Sequence, residues 1–172
     1  MKRMPKSFSL VLVMTALLLV TTGSSVFAQQ DRIIINCPAA ISNPDADTLI
    51  PVEVHYTTGA DPIGGFSLGF GYDSDIVDID TMTTDGTDLP QALFFTPTKY
   101  DTDSNYVLVG YADFTGLMPI PANDSGLAFT LWFKVPGGTA DHCVDIDSAF
   151  VPPAGYFIFS RQAGGSVTPA YV

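Results

Sequence analysis

The sequence predicts an all-β fold, a sandwich or barrel of short strands, and three observations carry that prediction. Clusters of Pro, Gly, Asn and Asp recur between short apolar stretches at regular intervals, the spacing expected of strands joined by turns. After residue 28, no 11-residue window repeats apolar positions at helical spacing. Two segments alternate with a period of two. Phe66, Leu68, Phe70 and Tyr72 oppose Gly65, Ser67, Gly69 and Gly71, while Leu127, Phe129, Leu131 and Phe133 oppose Ala128, Thr130, Trp132 and Lys134. The large residues of the two segments can meet across a core.

In chain order, the first 28 residues stand apart. Lys2, Arg3 and Lys6 give a basic start, Phe8 to Val20 is an apolar run, and Val26-Phe27-Ala28 fits a signal peptidase site. This is read as a secretory signal peptide cleaved after Ala28, since the run is too short for a membrane span. Residues 29–172 then form one domain, 144 residues long, of ordinary size for a single core. Strands are expected at Arg32 to Cys37, Leu49 to Thr57, Gly64 to Tyr72, Ile76 to Thr81 and Ala92 to Thr96. Further ones are expected at Tyr106 to Ala112, Gly126 to Val135, Cys143 to Phe150, Tyr156 to Phe159 and Ser166 to Tyr171. Turns separate them at Asn43-Pro44-Asp45, Thr58 to Pro62, Asp85-Gly86, Pro119 to Asp124, Pro136-Gly137-Gly138 and Pro152 to Gly155.

Without the leader, Arg32, Lys99, Lys134 and Arg161 stand against 18 acidic residues, a net charge of −14. That balance disfavours nucleic acid and anionic membrane as partners. Glu53 is the only Glu, and the aspartates suit turns and strand ends. Cys37 and Cys143, in a chain bound for an oxidising compartment, are expected to form a disulfide closing a loop of roughly 100 residues, worth at most about 4 to 5 kcal/mol. Two buried free thiols are the other reading.

The bare row Gly65, Ser67, Gly69, Gly71 admits two readings. Glycine costs stability inside a strand, so a run of small residues marks a place where another group approaches the backbone. That group is either a binding partner or a loop of the same chain.

Four pieces in order resemble the bacterial cohesin domains, secreted modules that receive dockerin modules in cellulosomes and other cell-surface assemblies. They are Ile50 to Val54 (IPVEV), Gly69 to Ile79 (GFGYDSDIVDI), Tyr106 to Gly116 (YVLVGYADFTG) and Gly126 to Val135 (GLAFTLWFKV), followed by a Gly-Gly-Ser-Val strand. The resemblance runs from about Ile33 to Tyr171. It implies a nine-stranded jelly-roll sandwich, non-catalytic, whose flat face includes the strands of Gly65 to Tyr72 and Tyr106 to Ala112 and receives a dockerin-like partner. Gly65 and Ser67 stand where cellulosomal cohesins carry polar side chains, including an Asn and an Asp. Asp113 and Gly116 match an acidic residue and a glycine near the family's interface. Gly65, Ser67, Gly69, Tyr106, Leu108, Gly110, Asp113 and Gly116 are therefore the partner-binding candidates, with Tyr106, Leu108, Gly110 and Ala112 forming a mostly apolar outward row.

Catalysis finds no support. Many aspartates occur in pairs, but nothing singles out two across a cleft. His55 and His142 belong to no nucleophile elbow or metal spacing. No cofactor is expected. For a structural Ca²⁺ the closest match to a calcium loop is Asp101-Thr102-Asp103-Ser104-Asn105, which departs from it at Tyr106, where glycine is needed, and at Ala112. Asn123-Asp124-Ser125 is a glycosylation sequon by pattern. Trp132 and seven tyrosines raise a second function, polysaccharide binding by stacked rings, and a purely structural module of a surface assembly is a third.

Overall fold

The computed structural model describes residues 29–36, 47–90, 93–99 as backbone course, 105–138, 145–151 and 155–172. The signal segment, Cys37, Cys143, His142 and Asp101 to Ser104 lie outside them. Eleven strands are present among the described residues. They are β1 (Arg32–Asn36), β2 (Thr48–Thr57), β3 (Ile63–Tyr72), β4 (Asp78–Thr83), β5 (Leu93–Lys99), β6 (Tyr106–Ala112), β7 (Ser125–Val135), β8 (Ile146–Ser148), β9 (Ile158–Arg161), β10 (Ser166–Val167) and β11 (Ala170–Tyr171).

These strands make two sheets, the sandwich expected from the alternation. One has the order β11-β1-β2-β7-β4; the other has the order β10-β9-β3-β6-β5, with β8 also paired to β3. All pairings are antiparallel except β1 with β11. β6 lines one side of β3 from Gly65 to Gly71, while the other side is shared by β9 near Ile63 to Ser67 and β8 near Phe70 to Tyr72.

The two alternating segments do face one another. From β3, Phe66, Leu68, Phe70 and Tyr72 are buried; from β7, Phe129, Leu131 and Phe133 are buried. Phe129 sits between Phe66 and Phe70, with ring centroids at 6.2 and 6.3 Å, and Tyr72 meets Phe133 edge-on at 5.3 Å. Phe66 also stacks on Tyr111 of β6 at 5.2 Å. Each fully buried ring of this kind contributes roughly 1.5 to 3 kcal/mol by leaving water. Burial pushes the Tyr111 hydroxyl up to about 12 and raises that of Tyr56 further, with Asp124, 2.9 Å from the Tyr56 oxygen, as the next cause.

The strand count exceeds the ten read along the sequence because one segment breaks up. The expected Ser166 to Tyr171 strand splits at Thr168-Pro169, so β10 pairs with β9 in one sheet and β11 with β1 in the other. Gly164 and Gly165, at φ 98° and 84°, form the turn that precedes it. The fourth strand starts at Asp78 instead of Ile76. Asp73 closes a turn there, its carbonyl accepting from the N–H groups of Ile76 and Val77 and its carboxylate from that of Asp75.

Candidate partner-binding face

Register places the candidate residues on the outward side of the six-stranded sheet. Gly65 pairs with Ala112, Ser67 with Gly110, Gly69 with Leu108 and Gly71 with Tyr106. Because directly paired residues share a face, these eight form two adjacent rows opposite the aromatic core. Ile158 and Ser160 of β9 extend the face, paired with Ser67 and Gly65. Ser67, Leu108, Gly110, Ala112 and Ile158 are partly exposed, and Tyr106 is 40% exposed.

The bare row serves two purposes along its length. At Gly69 the nearby group belongs to the same chain: the Ala149 N–H donates to the Gly69 carbonyl at 2.8 Å, and a Cβ on Gly69 would collide with the Ala149 carbonyl oxygen. Val151 and Gly155 bond each other through their backbones beside it, and a Cβ on Gly155 would come within 2.9 Å of Leu108 Cδ1. A ledge, residues 149–151 and 155, therefore covers Gly69 and abuts Leu108. Gly65 is required locally as well, since a Cβ there would lie 2.6 Å from the Tyr111 carbonyl oxygen next to a bulge in β3. Ser67 and Gly110 are left as the open centre of the face.

Asp113 and Gly116 build the loop that follows β6. The Asp113 carboxylate accepts from the Thr115 hydroxyl at 2.6 Å, from the N–H groups of Thr115 and Gly116 at 3.0 Å each, and from that of Met118 at 2.7 Å. Gly116 takes φ 67°, and the Gln162 side chain donates to its carbonyl. The loop is thus fixed by polar bonds while Phe114, Leu117 and Met118 point to solvent, Leu117 being 82% exposed.

The Thr115 hydroxyl, followed by the Met118, Thr115 and Gly116 N–H groups, holds the Asp113 carboxyl below the usual aspartate range. A carboxylate with a depressed folded pKa contributes order that is complete above the unfolded value near 3.9 and lost as pH falls through the folded one. The Met118 amide and methyl NMR signals should therefore hold steady down to about pH 4 and shift only below it. A transition centred above that pH would contradict the bonding described.

Sequence reasoning missed several exposed groups. Phe150 and Tyr156, on and just after the ledge, pair their rings at 4.9 Å. Phe114, Leu117 and Met118 have no alternating pattern, so nothing in the sequence marked them as outward. A cavity of about 400 Å³ opens at the Tyr106 end of the face, lined by Gly71, Tyr72, Asp73, Asn105, Tyr106, Asp145, Asp147 and Ala149.

Trp132 lies on the other sheet, half-buried, its Nε1 donating to Thr83 Oγ1 at 3.0 Å. His55 meets Glu53 at 3.0 Å on that same sheet. Among the described residues no group of three or more His, Cys, Asp or Glu is placed to hold a metal ion.

No family model matches the sequence, and no curated protein does. Solved structures do. The seventh ScaB type I cohesin of Pseudobacteroides cellulosolvens superposes with a TM-score of 0.61 at 16% identity, over 83% of this chain and 86% of that one. This is a cohesin fold. The OlpA cohesin of Clostridium thermocellum, solved as a type I cohesin–dockerin complex, gives a TM-score of 0.58 at 17% identity over 82% of this chain and 94% of that one. A non-cellulosomal cohesin from the archaeon Archaeoglobus fulgidus gives 0.51 at 21% identity, covering 83% and 86%. The shared cohesin architecture explains why short pieces of strand pattern are recognisable at such low identity: strand alternation and turns persist where surface residues do not.

Proposed function

We propose that this chain is a secreted, non-catalytic binding module whose six-stranded face docks a dockerin-like partner protein in an extracellular assembly. The observation that carries the reading is the open centre of that face, where Ser67 and Gly110 lie side by side with Leu108, Ala112 and Ile158 around them. Small residues admit a partner backbone close to the sheet, and the apolar surround supplies a desolvated interface core. Several solved structures of the same fold hold dockerins. Asp113 and Gly116 contribute by holding the adjoining loop in shape.

The test is calorimetry of the purified chain against a panel of dockerin modules, with a polysaccharide affinity gel in parallel. Binding to a dockerin that is lost in Ser67→Arg supports the reading. Retardation by polysaccharide without dockerin binding replaces it with carbohydrate recognition. Export belongs to the same proposal. Intact-mass measurement of the secreted protein should give a chain beginning at Gln29, with Cys37 and Cys143 alkylated only after reduction. A chain starting at Met1, or thiols free from the outset, would remove the corresponding claim.

A further inference from the structure

The cavity at the Tyr106 end of the face is unlike the rest of it. The face is small and apolar at its centre, whereas the cavity gathers Asp73, Asp145 and Asp147 with the Asn105 amide and the Tyr106 ring. Asn105 and Asp73 are already engaged, the first by the Ser74 hydroxyl and the second by the Asp75 N–H. The Asp145 and Asp147 carboxylates have no hydrogen-bond or ion-pair partner among the described residues. Of the cations with described side chains, Lys134 is paired with Asp47 and Arg161 with Asp31; neither these nor Arg32 lines the cavity. The three carboxylates do not converge as metal ligands do. Separate carboxylates around an exposed aromatic ring suit an extended organic cation, which can bond more than one acid and lie against the ring.

Position adds the second argument. Tyr106 pairs with Gly71 in the same outward rows as Ser67 and Gly110, so the cavity is continuous with the proposed docking face. From Gly110 to Tyr106 is four residues of strand, about 13 Å, within reach of one docked module. At about 400 Å³ the cavity lies near the low end of the ligand-pocket range, roughly 300 to 1,000 Å³, a size suited to one long side chain.

We propose that the partner docked on this face anchors itself by an arginine or lysine side chain inserted in the cavity, between Tyr106 and the carboxylates of Asp145 and Asp147. The inference rests on the docking reading for its partner, but the cavity can be examined without one. The first measurement is an NMR titration of the secreted chain with N-acetyl-arginine amide, N-acetyl-citrulline amide and CaCl₂. The arginine compound should shift the amides of Asn105, Tyr106 and Ala149 saturably, and less so at raised salt. Citrulline, neutral and nearly the same shape, should not. The effect should vanish in Asp145→Asn/Asp147→Asn and weaken in Tyr106→Leu, with signals elsewhere unchanged. No shift, equal shifts with citrulline, or shifts from Ca²⁺ alone would each overturn the proposal.

The second measurement uses any dockerin that binds. Asp145→Asn/Asp147→Asn should weaken it about tenfold or more, the scale of a charge-assisted bond. If affinity is unchanged, the anchor is refuted while docking stands. If no dockerin binds but the arginine compound does, the docking reading fails and the cation site remains.

Discussion

Replacing Asp31 by alanine is expected to cost the fold about 3 kcal/mol, toward the lower end of the range for breaking a buried ion pair. Asp31 precedes β1 and is only 7% exposed. Its carboxylate accepts from the Gly59 N–H at 2.7 Å and pairs with Arg161 Nη2 at 2.5 Å. Arg161 ends β9, so this contact ties the start of β1 in one sheet to the end of β9 in the other. Removing the carboxylate orphans a buried N–H and leaves a guanidinium whose side chain is 18% exposed with only the Asp61 carbonyl at 3.1 Å and the Asp61 carboxylate at 3.9 Å. That remaining partner and partial exposure place the expected cost at the low end. Asp31→Asn keeps an acceptor for Gly59 and should lose less. Urea unfolding would check it, with the midpoint falling and the slope unchanged. A loss below about 1 kcal/mol would mean that the pair behaves as a surface salt bridge.

The second large effect is on binding. Ser67→Arg and Gly110→Glu each place a charged side chain at the open centre of the face, and each should cost at least about 2 kcal/mol of partner affinity, the hot-spot scale, or roughly thirtyfold. Neither should shift the thermal midpoint appreciably, since Ser67 and Gly110 are paired on the outward side of the sheet and both are already partly exposed. Gly69→Glu makes the contrast. Its side chain would enter the space held by Ala149, so it should destabilise the fold or dislodge the ledge. Unchanged affinity in both Ser67→Arg and Gly110→Glu would put the binding surface elsewhere.

The difference between Ser67 and Gly69 shows how much was legible in the sequence. Period-two alternation reveals which side of β3 faces the core, because burial of large side chains follows directly from strand geometry. It cannot reveal what lies over the bare side. That depends on where residues 149–151 and 155 run, more than 75 positions away in the chain, and only the close approach of Ala149 to Gly69 decides it. Asp113 teaches the same lesson. Its position by the face was readable from pattern, but the four bonds that turn it into a loop anchor depend on how Thr115, Gly116 and Met118 curl back. The cavity was less visible still, since Asp73, Asn105 and Asp147 come from three separate segments and no spacing in the sequence joins them.

One pairing bears on the protein's behaviour in crowded solution. β11 lies parallel to β1, with the Val172 N–H donating to the Ile33 carbonyl and the Ile35 N–H to the Val172 carbonyl, both at 3.0 Å. Without those last residues, β1 would present a free row of backbone donors and acceptors along Ile33-Ile34-Ile35, three β-branched residues in sequence. Such an edge is a template for strand addition by another molecule. The two-residue strand is too short to add much to folding energy, yet it works as a guard rail: it keeps a β-branched edge occupied, so that detaching residues 170–172 would open β1 to strand addition before it unfolded anything.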